Sequence, residues 1–99
     1  MNYTVYLIHF DRKISHAGHY LGYTANLQER IKLHKSGNGA RLLRECKRLQ
    51  IPFHVVRTWK FKNHDSAKSF EDKLKARKES PRLCPVCNPK NYQNRANSF

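Results

Sequence analysis

Acidic residues are scarce in this chain. Seven Asp and Glu stand against 20 Lys and Arg in 99 residues, a formal charge of +13. That imbalance makes a polyanion the expected partner, through phosphate attraction and the release of condensed counterions. A membrane surface is anionic too, but the basic residues are spread along the chain, with no polybasic run and no amphipathic anchor. Long apolar runs are also missing: nothing approaches the roughly 18 apolar residues of a spanning helix. Met1 to Phe10 has no basic leader region and only a short apolar run, so no secretory signal is expected and the expected location is cytoplasmic. Cysteines number three, an odd count that argues against a disulfide framework. A chain of this length is expected to form one compact α+β domain without a large interior cavity. Residues 1–90 read as that domain and 91–99 as a polar tail, with no internal repeat.

Tyr3 to Phe10 carries apolar or aromatic side chains on both faces, the pattern of a central strand covered on both sides. Tyr6 shares a face with Thr4, Ile8 and Phe10. Asp11 to Gly18 reads as a polar connecting loop, and His19 to Tyr23 as an antiparallel return strand with a tight exit at Gly22. Asn26 followed by Glu29 resembles a capping box, so a helix starts at Leu27. It stops at Ser36-Gly37-Asn38-Gly39. Leu27, Ile31 and His34 form its inner stripe, bordered by Arg30. Ala40 to Gln50 resumes helical spacing, with Leu42, Cys46 and Leu49 on one side. Arg41, Arg44, Lys47 and Arg48 face away, either as a solvated surface or as contacts to a DNA backbone; position alone does not choose. After Pro52, Phe53 to Phe61 reads as a half-buried strand with Phe53, Val55, Trp59 and Phe61 on one face. Asn63-His64-Asp65 then caps a helix over Ser66 to Glu79. Glu71 projects into its apolar stripe of Ala67, Phe70 and Leu74, and Ser80-Pro81 ends it.

Tyr6, Tyr20, Arg30, His34 and Glu71 are therefore all aimed inward. Each has an ordinary explanation: a strand tyrosine with its hydroxyl at the rim, a snorkelling arginine, a glutamate paired with an arginine. Five such groups inside so small a core are costly without some return. Together they suit phosphodiester hydrolysis, which needs a metal, a cation for the pentavalent phosphate and a way to deprotonate water. Glu71 is a hard oxygen ligand for Mg²⁺ or Mn²⁺, and Arg30 a planar bidentate donor for phosphate. A tyrosine with a pKa of about 10 is phenolate only about one time in a thousand at neutral pH. Surrounding positive charge is expected to lower that value and make a useful base.

These residues resemble the GIY-YIG nuclease superfamily over positions 3 to about 90. Val5-Tyr6-Leu7 lies where the family has Gly-Ile-Tyr, with Tyr6 as the triplet's tyrosine and Thr4 and Val5 in place of its Gly and Ile. Tyr20-Leu21-Gly22 stands for Tyr-Ile-Gly. Thr24, Asn26-Leu27, Arg30 and His34 resemble the family's first helix, and Ala67, Glu71 and Leu74-Lys75 its closing helix. The resemblance implies a three-stranded, mostly antiparallel sheet flanked by helices. It implies that Tyr6 and Tyr20 line the site, with Tyr6 favoured as the base. Arg30 would stabilise the transition-state phosphate, His34 would assist by hydrogen bonding or proton transfer, and Glu71 would hold one Mg²⁺ or Mn²⁺. Asn88 is implied as the late asparagine near the site. The implied activity is a DNA endonuclease, with RNA retained as a candidate substrate. No separate recognition domain is expected within these residues, so target choice would come from this domain, from a recruiting protein or from dimerisation on DNA.

Cys84-Pro85-Val86-Cys87 forms a C-x₂-C pair. Structural zinc normally takes two such half-sites. Cys46 is the other cysteine, His54 and His64 are the histidines considered as partners, and no second spaced pair is present. Reduced cysteines packed in a turn are therefore expected. A rival to the nuclease is a non-catalytic nucleic-acid-binding module, with Tyr23, Trp59 and Tyr92 as stacking platforms. A small RNA-associated structural protein is another. The first leaves the inward Arg30, His34 and Glu71 unexplained, and the second predicts RNA binding without divalent metal and no effect of Glu71→Ala beyond stability.

Overall fold

The computed structural model describes residues 2–78 and 80–87. Its centre is β1 (Tyr3–Ile14), flanked on one side by β2 (Ala17–Thr24) and on the other by β3 (Phe53–Phe61). Both pairings are antiparallel, so the central strand expected from two-faced hydrophobicity is present. The order of elements is β1, β2, α1 (Leu27–Ser36), α2 (Arg41–Arg48), β3, α3 (His64–Arg77) and α4 (Ser80–Leu83). The fold is the expected α+β class. No helix among the described residues is long and apolar enough to cross a membrane.

Each face of the sheet buries its own core because β1 alternates two apolar sets. Tyr6, Ile8 and Phe10 meet Leu43 and Cys46 of α2, with Ile51 and Phe53. Val5 and Leu7 meet Leu21, Ala67 and Leu74 of α3, and Cys84. Leu43, rather than Leu42 or Leu49, is the fully enclosed leucine of α2; Leu49 is 38% exposed. Losing a buried leucine such as Leu43 would cost about 2–5 kcal/mol.

Three sequence expectations are corrected. Asp11 to Gly18 is not a long loop. The strands continue until Ile14 pairs with Ala17, leaving Ser15-His16 as a two-residue turn. Ser15 takes φ 57 there, the left-handed backbone that tight hairpins require. The single face assigned to β3 splits in two. The register against β1 slips between Arg57 and Val55, so Val56 is an extra residue. Phe53 and Val55 therefore pack with Ile8, whereas Trp59 and Phe61 pack with Val5. A bulge of one residue reverses every side chain beyond it. Finally, the chain beyond α3 is not simply a stop: α4 follows, and Arg57, buried under it, donates from Nη1 to Leu83 O at 3.2 Å.

The caps explain the helix bounds. Asn26 Oδ1 accepts from Glu29 N–H at 3.1 Å, and Asn63 Oδ1 accepts from Ser66 N–H at 2.8 Å. Thus α3 starts at His64, two residues earlier than expected. Gly37 ends α1 at φ 86, and Asn38 N–H closes back on Leu33 O at 3.0 Å.

Candidate active site

Tyr6 and Gly22 are cross-strand partners, and Tyr20 lies two residues along the same face of β2. The Tyr6 and Tyr20 rings stand 6.2 Å apart between centroids. A Cβ on Gly22 would fall 2.6 Å from Tyr6 Oη and 2.7 Å from its Cζ. Gly22 is therefore not a tight exit. It lies inside β2, and what matters is the missing side chain, whose space the phenol of Tyr6 occupies.

Behind Tyr6 sits His34, fully enclosed. Its Nε2 is 2.8 Å from Tyr6 Oη, and its Nδ1 accepts from Ala40 N–H at 3.3 Å. An Nδ1 that accepts carries a lone pair, so the neutral ring holds its proton on Nε2 and donates it to Tyr6 Oη. The phenolic proton of Tyr6 is then left to point elsewhere. Gly39 completes this arrangement, since a Cβ there would overlap the imidazole Nδ1. His34 consequently reaches the cleft only through Tyr6 and forms none of its wall.

The cleft itself has a volume of about 420 Å³ and is open to solvent. Tyr6, Tyr20, Gly22, Arg30 and Glu71 line it. Glu71 reaches it from α3 and is only 6% exposed; its ion pair with Lys75 is loose, at 3.5 Å. Arg30 is exposed at the wall and Tyr20 half-buried. The expected five-member buried set is thus corrected. Tyr6, His34 and Glu71 are buried, whereas Tyr20 and Arg30 stand where a ligand can reach them, which removes much of the desolvation cost of grouping them.

The electrostatics also depart from expectation. Burial pushes the Tyr6 phenol well above its ordinary range, Tyr20 and Glu71 add to the shift, and Arg30 opposes it. Tyr20 is raised as well, by burial and then by Glu71, again against Arg30. The protein's own cations therefore do not make Tyr6 a ready base, because desolvation outweighs them. His34 is held below its ordinary value by burial and then by Arg30, which agrees with a neutral ring.

Tyr3, Tyr23 and His64 also line the cleft. Tyr23 Oη lies 3.2 Å from His64 Nε2, and both tyrosine rings meet His64 edge-on. No spacing rule links residue 64 to residues 3 and 23; α3 packed across the sheet brings them together. Among the four basic residues of α2, Lys47 donates to Ser36 O at 2.8 Å and Arg48 pairs with Glu45 at 2.7 Å. Arg41 and Arg44 are exposed. Trp59 packs at a tilt against Phe70 and lies under the Arg57 guanidinium, so it is packing rather than a free platform. Asn88 and Tyr92 lie outside the described residues.

A three-stranded antiparallel sheet with tyrosines from two strands, an arginine and a buried glutamate around one cleft defines a class. Residues 2–83 match the GIY-YIG catalytic domain, and the chain belongs to that family. It is 35% identical over 75 residues to the UPF0213 protein BH0048 of Halalkalibacterium halodurans, covering 76% of this chain and 71% of that protein. UPF0213 proteins belong to the same superfamily. No solved structure matches the chain. Family membership supports a nuclease, and hence a hydrolase, kind of activity on nucleic acid, and nucleases of this family are generally dependent on a divalent metal.

Proposed function

We propose that the chain is a DNA endonuclease that hydrolyses phosphodiester bonds with one Mg²⁺ or Mn²⁺ ion. The observation that carries this is the convergence of Glu71, Arg30, Tyr6 and Tyr20 on one open cleft in a protein of charge +13. The donor set fits a hard divalent cation: a buried carboxylate opens on the cleft and is held only loosely by Lys75. Glu71 would hold the ion, with phosphate and water oxygens as the remaining ligands. Bound there, a divalent cation supplies charge neutralisation at the phosphate and the leaving oxygen.

The other residues act on the substrate directly or, in the case of His34, through Tyr6. Arg30, exposed at the cleft wall, donates in a fork to the phosphate oxygens as they gain charge. His34 fixes the Tyr6 hydroxyl from behind, with Nε2–H directed to Oη, so that the phenolic proton faces the cleft. Tyr6 rests as a neutral phenol. As the base, Tyr6 would first release its phenolic proton through the cleft to solvent, favoured by Arg30 and by a cation held at Glu71, and the phenolate would then take a proton from the attacking water. Tyr20, beside Tyr6, lines the same cleft and orients the nucleophile.

Arg30→Ala and Tyr6→Phe test these roles. Each should lose cleavage of duplex DNA by at least about 100-fold while retaining its circular dichroism spectrum and DNA binding. Undiminished cutting by Arg30→Ala would overturn the transition-state role. Undiminished cutting by Tyr6→Phe would move the base to Tyr20.

A further inference from the structure

The sheet face that does not carry Tyr6 holds a second group of reactive side chains. His9 and His19 are cross-strand partners of β1 and β2, in step with Val5, Leu7 and Leu21 of that face. The chain reaches them again after α4. Cys84 is fully buried in the same core, with its N–H donating to Ser80 O at 3.0 Å. Cys87 follows in a turn at the solvent side. Of the histidines suggested by sequence, His64 lines the cleft, and His54 pairs with His9 across β1 and β3 but turns its ring to Asp11, at 3.5 Å.

The geometry of the four side chains is specific. His9 Nδ1 lies 3.4 Å from His19 Nε2, 3.4 Å from Cys84 Sγ and 3.6 Å from Cys87 Sγ. Cys87 Sγ is 3.5 Å from His19 Nε2. All four ligand atoms fall within 4.8 Å of one another. Hydrogen bonding does not account for this, because one imidazole nitrogen offers a single lone pair or a single N–H and cannot serve three partners in line. A central ion does account for it. With Zn–N of about 2.0–2.1 Å and Zn–S of about 2.3 Å, tetrahedral angles separate ligand atoms by about 3.3–3.8 Å.

We propose that His9, His19, Cys84 and Cys87 form a structural Zn²⁺ site, separate from the Glu71 cleft. Two thiolates and two imidazoles select zinc over Mg²⁺, whose preference is for oxygen. Four protein ligands close the coordination sphere, so the ion has no open position for water and its role is structural. Two thiolates also neutralise the ion, which permits burial beside Cys84. The site fastens α4 and the C-x₂-C turn to the β1–β2 hairpin. Cross-strand pairing replaces the second C-x₂-C half-site: two histidines ten residues apart in sequence are neighbours across the sheet.

The full chain, purified under reducing conditions and reconstituted with ZnCl₂, should bind one Zn²⁺ per chain by elemental analysis. The Co²⁺-substituted chain should show intense visible absorption of tetrahedral cobalt together with thiolate-to-cobalt charge transfer. Cys87→Ser and His19→Gln should drop to background zinc, whereas His54→Gln and Glu71→Gln should keep it. Background zinc in the reconstituted wild-type chain, or a pale octahedral cobalt spectrum, would overturn the site. So would a Cys84–Cys87 disulfide under reducing conditions, or full zinc retention in Cys87→Ser.

Discussion

The smallest change that reaches the centre of the cleft is one methyl group at Gly22. Alanine suits a strand at least as well as glycine, and Gly22 has no left-handed backbone to lose. The added carbon would instead collide with Tyr6 Oη, displacing the hydroxyl from His34 and from the substrate. A shift of about 1 Å in a reacting group costs on the order of 100-fold. Gly22→Ala should therefore fold normally and cleave about 100-fold more slowly, as followed by single-turnover cleavage alongside thermal unfolding. Wild-type rates in a folded Gly22→Ala protein would mean that Tyr6 is not where the chemistry occurs. Tyr6, His34 and Glu71 were legible in the sequence because period and family pattern both aim them inward. The raised pKa of Tyr6 was not: positive charge was expected to lower it, and the balance of burial, Tyr20 and Glu71 against Arg30 depends on how closely each packs around the ring.

At the scale of elements, α1 carries both Arg30 and His34, so its start fixes their height over the sheet. The Asn26 side chain caps that start by accepting from Glu29 N–H. Asn26→Ala should destabilise the domain by about 1 kcal/mol, read from urea midpoints, and Asn26→Asp should restore most of it. An unchanged midpoint would show that tertiary packing alone positions α1. The caps, the glycine stop and the glutamate in the α3 stripe follow from local chemistry and could be read residue by residue. The bulge at Val56, the extended hairpin and the His9–His19 pair could not. Each depends on which residue of one strand faces which residue of another, and that register is not written in either strand alone.

At the scale of the molecule, the charge of +13 favours attraction to the phosphates of a nucleic acid. Arg41 and Arg44 are exposed, whereas Lys47 and Arg48 are engaged within the protein. The double variant Arg41→Gln/Arg44→Gln should weaken duplex binding at all sequences and reduce the log–log salt slope by about 2, one for each phosphate no longer neutralised. Measurement of affinity across a salt series would give the slope directly, and an unchanged slope would place the DNA backbone on another face. One core on each face of the sheet holds the helices that bring Arg30 and Glu71 to the tyrosines of β1 and β2.

The central claim, metal-dependent phosphodiester hydrolysis at the Glu71 cleft, is tested most directly on supercoiled plasmid. Wild-type protein and Glu71→Ala are each incubated with Mg²⁺, with Mn²⁺, and in buffer freed of divalent ions but containing no chelator able to strip thiolate-bound zinc. Nicking or linearisation that requires the added ion and disappears in Glu71→Ala is the predicted result. DNA binding without cutting under every condition, or equal cutting by Glu71→Ala, would contradict it and leave a basic nucleic-acid-binding module in its place.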